Sequence, residues 1–214
     1  MDKFNPVPPV IGLYSPYMQA GKSTLAEALI YERGFTRIKM ADGLKAMLRG
    51  LLAYQGLNDE GITRRIEGSA KGEASPWLSG HTPRYAMQTL GTQWARDCMG
   101  EDFWVEVAYS KIHTSIASGI PVVIDDIRFE NEYHMVQMFS MGLMVKVTRP
   151  DVDPQANMPW WRKVLAKKPR SEGNLNKMQF DLTFVNEFSD AKAFTKNALD
   201  KIDSYLWDCG YKPR

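Results

Sequence analysis

Short apolar runs alternate along this chain with longer stretches of helical periodicity. Val10-Ile11-Gly12-Leu13-Tyr14 is a continuous apolar run and predicts a buried strand over residues 10–15. A helical pattern follows from about Lys22 to Arg33, with Gly34 suited to its C-cap. Phe35 to Met40 predicts a second strand, and Ala41-Asp42-Gly43 opens an amphipathic helix through Leu44, Met47, Leu48, Leu51 and Leu52. Residues 58–82 are polar and hold Gly61, Gly68, Gly72, Pro76 and Gly80, which predicts a short helix near Glu60–Glu67 and then a mobile loop. Helical spacing returns at Pro83, with Thr82 as N-cap and proline at the first helical position, and a further helix is predicted over about Asp102–Ser118. Ile120 to Asp126 predicts a third strand ending in acids. A helix over about Asn131–Met141, a fourth strand at Leu143–Thr148, a fifth at Phe180–Val185 and a last helix over about Asp190–Trp207 complete the pattern. Strands alternating with helices predict a parallel sheet covered on both faces.

Composition narrows the class. The chain has 214 residues, 44% of them hydrophobic, which suits one α/β domain with a real core. The formal net charge of +2 supplies no global attraction to nucleic acid or membrane, so neither is expected as a partner and any anion site must be local. Cys98 and Cys209 have no paired spacing, and His81, His113 and His134 lack metal-ligand spacing. With no long apolar run and no signal-peptide core at residues 1–6, the expected location is the cytoplasm.

Between the first strand and the first helix lies Ser15-Pro16-Tyr17-Met18-Gln19-Ala20-Gly21-Lys22-Ser23-Thr24. A strand, a tight loop ending in Gly-Lys-Ser-Thr and a helix make a phosphate-binding loop. Its N–H groups from about Ala20 to Thr24 wrap phosphates, Lys22 adds a point charge and the Ser23 hydroxyl can ligate Mg²⁺. The ligand expected there is a nucleoside triphosphate, with Lys22 on its β- and γ-phosphates. Pro16 stands where the motif usually has its first glycine. Proline lacks an N–H and fixes φ, so a different entry bend is expected while the grip at Gly21 is kept.

Four other clusters carry candidate chemistry. Asp125-Asp126-Ile127-Arg128 ends the third strand, where ligands of open α/β sheets gather. Asp126 can hold Mg²⁺ through water or orient a nucleophile, and Arg128 can offset charge on a transferring phosphoryl group. The plainer alternative is a helix-capping Asp, with Arg128 paired to Glu130 or Glu132. Asp42 can accept from a substrate hydroxyl or simply cap its helix, and the two readings are compatible. Arg84 and Gln88, at i and i+4, share a helix face that suits a monophosphate and a base edge equally as it suits solvent; Trp94 and Arg96 follow. In the segment 149–172, Arg149, Arg162, Lys163, Lys167, Lys168 and Arg170 outnumber Asp151, Asp153 and Glu172, and prolines at 150, 154, 159 and 169 interrupt any long helix. A long basic loop holding Trp160-Trp161 predicts a lid rather than a plain solvated cluster.

Taken together, these segments resemble the phage-type deoxynucleoside monophosphate kinases, within the nucleoside monophosphate kinase class, over roughly residues 10–205. The resemblance rests on Gly21-Lys22-Ser23-Thr24, Ala41-Asp42-Gly43-Leu44-Lys45, Arg84-Tyr85-Ala86-Met87-Gln88-Thr89-Leu90-Gly91-Thr92 and Asp126-Ile127-Arg128-Phe129-Glu130-Asn131-Glu132. Arg149-Pro150, Ser171-Glu172 and Asp181 to Asn186 extend it. Two departures are Pro16 and Lys168-Pro169-Arg170, where the family pattern has a histidine two residues before Ser171.

The resemblance implies a three-layer P-loop kinase fold, with a five-stranded parallel sheet of order 2-3-1-4-5 and a lid. It implies one domain over 1–214, with a core at about 10–57, 100–149 and 179–207, an acceptor region at about 41–99 and a lid at about 149–178. The implied reaction moves the ATP γ-phosphoryl group to a deoxynucleoside 5′-monophosphate with Mg²⁺ held by Ser23 and Asp126. Lys22, Asp126 and Arg128 would be catalytic. Asp42, Lys45, Arg84, Gln88 and Trp94 would bind the acceptor, and Arg162, Lys167 and Arg170 would serve the lid. Family members are often homodimers, and a phage-encoded member would work in the host cytoplasm. Dephospho-coenzyme A kinase, which uses a similar core, and a non-catalytic nucleotide-binding module are the alternatives.

Overall fold

The computed structural model describes residues 7–17, 19–150, 175–187 and 190–211. They form two compact units, one from residues 1–39 and 109–214 and the other from residues 40–108.

The first unit is built on a parallel sheet. β1 (Val10–Tyr14), β2 (Thr36–Arg37), β3 (Val122–Ile124), β4 (Gly142–Thr148) and β5 (Leu182–Val185) lie in the order β2-β3-β1-β4-β5. This is the order expected of the P-loop kinase fold. β1 is central and all five of its residues are buried, which is why it reads as an unbroken apolar run. Its register sets Val10 beside Val122 on one side and Gly142 on the other.

Side-chain alternation divides the two faces of this sheet. Ile11, Leu13, Val123, Val145, Val147 and Phe184 pack with Leu25 and Leu29 of α1 (Lys22–Arg33) and with Phe194, Leu199 and Ile202 of α7 (Ala191–Asp208). On the other face, a Cβ at Gly12 would meet Met144 and Val136 of α6 (Glu130–Gln137). α1 ends where expected: Gly34 adopts φ 69° and its N–H returns to Ile30 and Leu29 carbonyls.

The second unit packs α2 (Asp42–Tyr54), α3 (Asp59–Ile66) and α4 (Pro83–Thr89) around Leu48, Leu52, Ile62, Ile66 and Met87. Asn58 caps α3 by accepting from Gly61 N–H, and Thr82 caps α4 by accepting from Tyr85 N–H. α5 (Phe103–Ala117) begins in this unit and continues into the first.

Several local expectations are corrected. The second strand is two residues, not six: as an edge strand it pairs only with β3 and its bonding ends with Ile38 N–H on the Val123 carbonyl. The third strand stops at Ile124, leaving Asp125 and Asp126 beyond it. The segment expected as a loop after α3 forms two short 3₁₀ turns, Ser69–Gly72 and Pro76–Leu78, with Trp77 under the Arg65 guanidinium. α4 continues as a π-helix over Leu90–Met99, a wide and rare conformation that helical periodicity does not announce. Asp42 is the first residue of α2 rather than its cap; Ala41 holds the cap position and no side chain caps that end.

Gly142 turns the chain from α6 into β4, where a Cβ would stand 2.0 Å from the Val136 carbonyl oxygen. Backbone cannot yield as a side chain can. Gly142→Ala is therefore expected to lose at least ~2 kcal/mol of stability, measured by urea unfolding, whereas Gly50→Ala, which meets nothing within 4 Å, is expected to lose none.

Candidate active site

The phosphate loop leaves the carboxyl end of β1 and enters α1 through Gly21. At its start, the Ser15 hydroxyl donates to the Tyr17 carbonyl at 2.8 Å and accepts from Tyr17 N–H at 3.2 Å. A serine turn thus shapes the bend at Pro16. Gln19 then takes a left-handed conformation, φ 61°, and Gly21 another, φ 108°. Left-handed non-glycine backbone carries strain and concentrates where a loop is held for a purpose. Gly21 caps α1 without any side-chain bond, so the N-terminal N–H groups of a twelve-residue helix have no side-chain cap, the arrangement in which a helix end can accept an anion.

Lys22 begins α1 half-buried, and Ser23 is exposed beside it. Burial holds the Lys22 ammonium below the usual lysine range, and the Arg128 charge lowers it further, while Asp126 and Asp125 act in the opposite direction. Two of the residues expected to be catalytic, Asp126 and Arg128, thus lie within electrostatic reach of the third, Lys22. A partly desolvated ammonium beside a guanidinium is an unfavourable arrangement alone. A polyphosphate between them would relieve it.

The residues after β3 are held individually. Asp125 is 8% exposed and lies 3.5 Å from Arg37 Nε, while Asp126 is half-buried. Arg128 reaches Glu132 through its backbone: its N–H donates to Glu132 Oε2 at 2.7 Å, and Phe129 N–H donates to the same oxygen at 3.1 Å. Glu132 therefore fixes the turn into α6 and leaves the Arg128 side chain exposed. Oxygen donors from Ser23 and Asp126 are the hard ligands that Mg²⁺ prefers, and one or two such groups suffice when phosphates supply the rest.

The expected acceptor residues all lie in the second unit. Asp42 is exposed in the first turn of α2, and Lys45 donates to Glu67 Oε2 at 2.8 Å. Arg84 and Gln88 are exposed one turn apart on α4, on the side away from buried Pro83 and Met87. Trp94, in the π-helix, meets the Phe103 ring edge-on at 5.3 Å, and Phe103 meets Trp104 the same way at 4.9 Å. A Cβ at Gly43 would lie 2.8 Å from the Trp104 ring, so α2 begins with a glycine to admit that indole. The lid residues Arg162, Lys167 and Arg170 lie outside the described residues.

Arg37 escaped the sequence reading, and so did the contacts that Asp125 and Asn186 make. Arg37 and Asp125 form an ion pair, Nε to Oδ2 at 3.5 Å, and Arg37 Nη2 and Asp125 Oδ1 are buried with no hydrogen-bond partner among the described residues. The available signal was an arginine inside the predicted strand Phe35 to Met40. Asn186, after β5, reaches the phosphate loop across 166 residues of sequence, and no local pattern announces such a contact.

No family model and no curated protein matches the chain. Among solved structures it is similar to a putative kinase from Chloroflexus aurantiacus j-10-fl, at 14% identity over 92% of this chain and 97% of that one, with a TM-score of 0.44. It is similar to shikimate kinase from Aquifex aeolicus vf5, at 14% identity over 92% and 98%, TM-score 0.42. It is also similar to dephospho-CoA kinase from Campylobacter jejuni, at 14% identity over 93% and 98%, TM-score 0.38. Likenesses this distant say nothing of activity or substrate.

The lowered Lys22 pKa has a stability consequence of definite sign. Between the folded pKa and the ordinary 10.5, the unfolded chain binds more protons at this site, so the contribution of Lys22 to stability rises with pH. Below that window the ammonium is a constant penalty. Lys22→Met is expected to be more stable than the parent at pH 7, with the gap closing as pH approaches 10.5. Urea unfolding across pH 7–10.5 measures it, and a gap that is absent or widens with pH contradicts the burial of that charge.

Proposed function

We propose that this chain is an ATP-dependent kinase that transfers the γ-phosphoryl group to a deoxynucleoside 5′-monophosphate, giving the diphosphate. The observation that carries the kinase reading is the phosphate loop at the end of the central strand, with Lys22 electrostatically tied to Arg128, Asp126 and Asp125. The acceptor class rests on the resemblance of the Arg84–Thr92 and Asp126–Glu132 segments.

The acceptor of such a transfer is already a phosphate oxyanion, so no strong base is required. Catalysis is then positioning and charge neutralisation. Loop N–H groups from Ala20 to Thr24 bind the donor phosphates. Lys22 places its charge between the β- and γ-phosphates, and Arg128 offsets charge as the γ-phosphoryl group moves from the ADP oxygen to the acceptor oxygen. Ser23 and Asp126 would hold Mg²⁺, which would supply charge neutralisation at the phosphates. Arg84 holds the acceptor phosphate, Gln88 the base edge and Trp94 a flat face of the base, with Asp42 and Lys45 near the sugar and phosphate. The basic segment 149–178 is assigned as the lid that excludes water, which would otherwise hydrolyse ATP.

The decisive experiment measures ADP release with Mg²⁺-ATP across the deoxynucleoside monophosphates and dephospho-coenzyme A. Acceptor-dependent release with at least one deoxynucleoside monophosphate is expected. Release with dephospho-coenzyme A alone would reassign the acceptor, and ATP binding with no acceptor-dependent release would make the chain a binding module. Lys22→Ala is expected to reduce turnover by about 10²-fold or more, and a near-normal rate would remove the phosphate loop from catalysis. Arg84→Ala is expected to raise the acceptor KM by roughly tenfold, the scale of a lost charge-assisted hydrogen bond. An unchanged acceptor KM would exclude Arg84 from the site.

A further inference from the structure

Asn186 is the first residue after β5, and its backbone N–H is held by the Thr148 carbonyl at 2.7 Å. Its side chain is buried at 7% exposure, and Nδ2 donates to the Ala20 carbonyl at 3.0 Å. A Cβ at Gly21 would stand 2.8 Å from that same nitrogen and 3.2 Å from the Phe194 ring of α7. The carboxamide and the ring therefore occupy the volume that a side chain at position 21 would need.

Two features separate this contact from ordinary packing. Asn186 Oδ1 is buried without a partner among the described residues. An orphaned buried acceptor costs stability, so an apolar side chain of the same shape would serve a purely structural role better. The second feature is peptide geometry. In a planar trans peptide, C=O and N–H point in opposite directions. Holding the Ala20 carbonyl toward Asn186 turns the Gly21 N–H the other way, away from β5 and α7. That is the peptide whose N–H the phosphate loop presents to an anion.

We propose that Asn186 is a positioning residue for the donor phosphates: its carboxamide fixes the Ala20–Gly21 peptide so that the Gly21 N–H is presented to ATP before ATP arrives. This inference rests on the reading of residues 15–24 as the ATP phosphate loop. Losing the amide leaves that peptide free to rotate, and the loss appears in donor binding rather than in acceptor binding.

The test compares the full-length protein with Asn186→Leu, Asn186→Asp and Lys22→Ala, using calorimetric titration of Mg²⁺-ATP and KM values for ATP and for the best acceptor. Leucine keeps the volume without the donor. Aspartate keeps the shape, lacks the N–H and adds negative charge beside the loop, so it gives a second reading if the leucine variant fails to fold. Expected are ATP affinities about tenfold weaker in Asn186→Leu and weaker still in Asn186→Asp, with acceptor KM within about twofold of the parent. Parent-like ATP affinity in the folded Asn186 variants, with binding lost in Lys22→Ala, overturns this inference alone. Equal loss of ATP and acceptor binding also overturns it, because a general structural role would do that. A parent protein that does not bind ATP overturns the phosphate-loop reading itself.

Discussion

Gly21 carries φ 108° and has an amide nitrogen and an aromatic ring where its side chain would be. Both conditions exclude every other residue at little cost to glycine itself. The candidate active site depends on this point. The backbone must reverse within the loop, start α1 with its N–H groups uncapped and leave Lys22 beside the acids that follow β3. A side chain at position 21 would push the loop away from β5 and α7 and displace the first turn of α1 with it.

The sheet supplies the rigidity that this loop needs. β1 is paired on both sides and buried along its whole length, so its end is fixed by β3 and β4 together. The loop itself is built from less favourable conformations, with Gln19 left-handed and the bend at Pro16 set by the Ser15 hydroxyl. Strain of this kind persists only where the surroundings over-determine it. The desolvated Lys22 ammonium is a second local cost in the same place. Strained backbone, a depressed lysine and an orphaned Asn186 oxygen converge on one loop, which is held at a local cost to stability.

The second unit has a different physical character. Its core is a compact set of apolar side chains from three helices, while Arg84 and Gln88 stand on the exposed side of α4. The π-helix at Leu90–Met99 widens the backbone where Trp94 joins Phe103 and Trp104. Such widened turns accompany functional sites because they re-aim side chains that an α-helix would stagger. Trp94 is therefore placed by an irregularity, whereas Arg84 and Gln88 are placed by regular helix geometry.

Sequence alone determined the elements whose cause is local or periodic. The apolar run of β1, the Gly34 and Thr82 caps, the Gly-Lys-Ser-Thr loop and the i, i+4 pairing of Arg84 with Gln88 follow from neighbours within a few residues. The β-α alternation was sufficient for a parallel sheet, and resemblance supplied its order. Tertiary structure decided what depends on contacts far apart in sequence. β2 is short because only one strand borders it, and the wide turn after α4 has no periodic signature. Arg37 meets Asp125, and Asn186 meets Ala20 and Gly21, only because β2, β3 and β5 are brought to one sheet. The chemistry of the loop was legible in ten residues, but the partner that holds its key peptide was not, since a hydrogen bond spanning 166 residues leaves no mark in either local pattern.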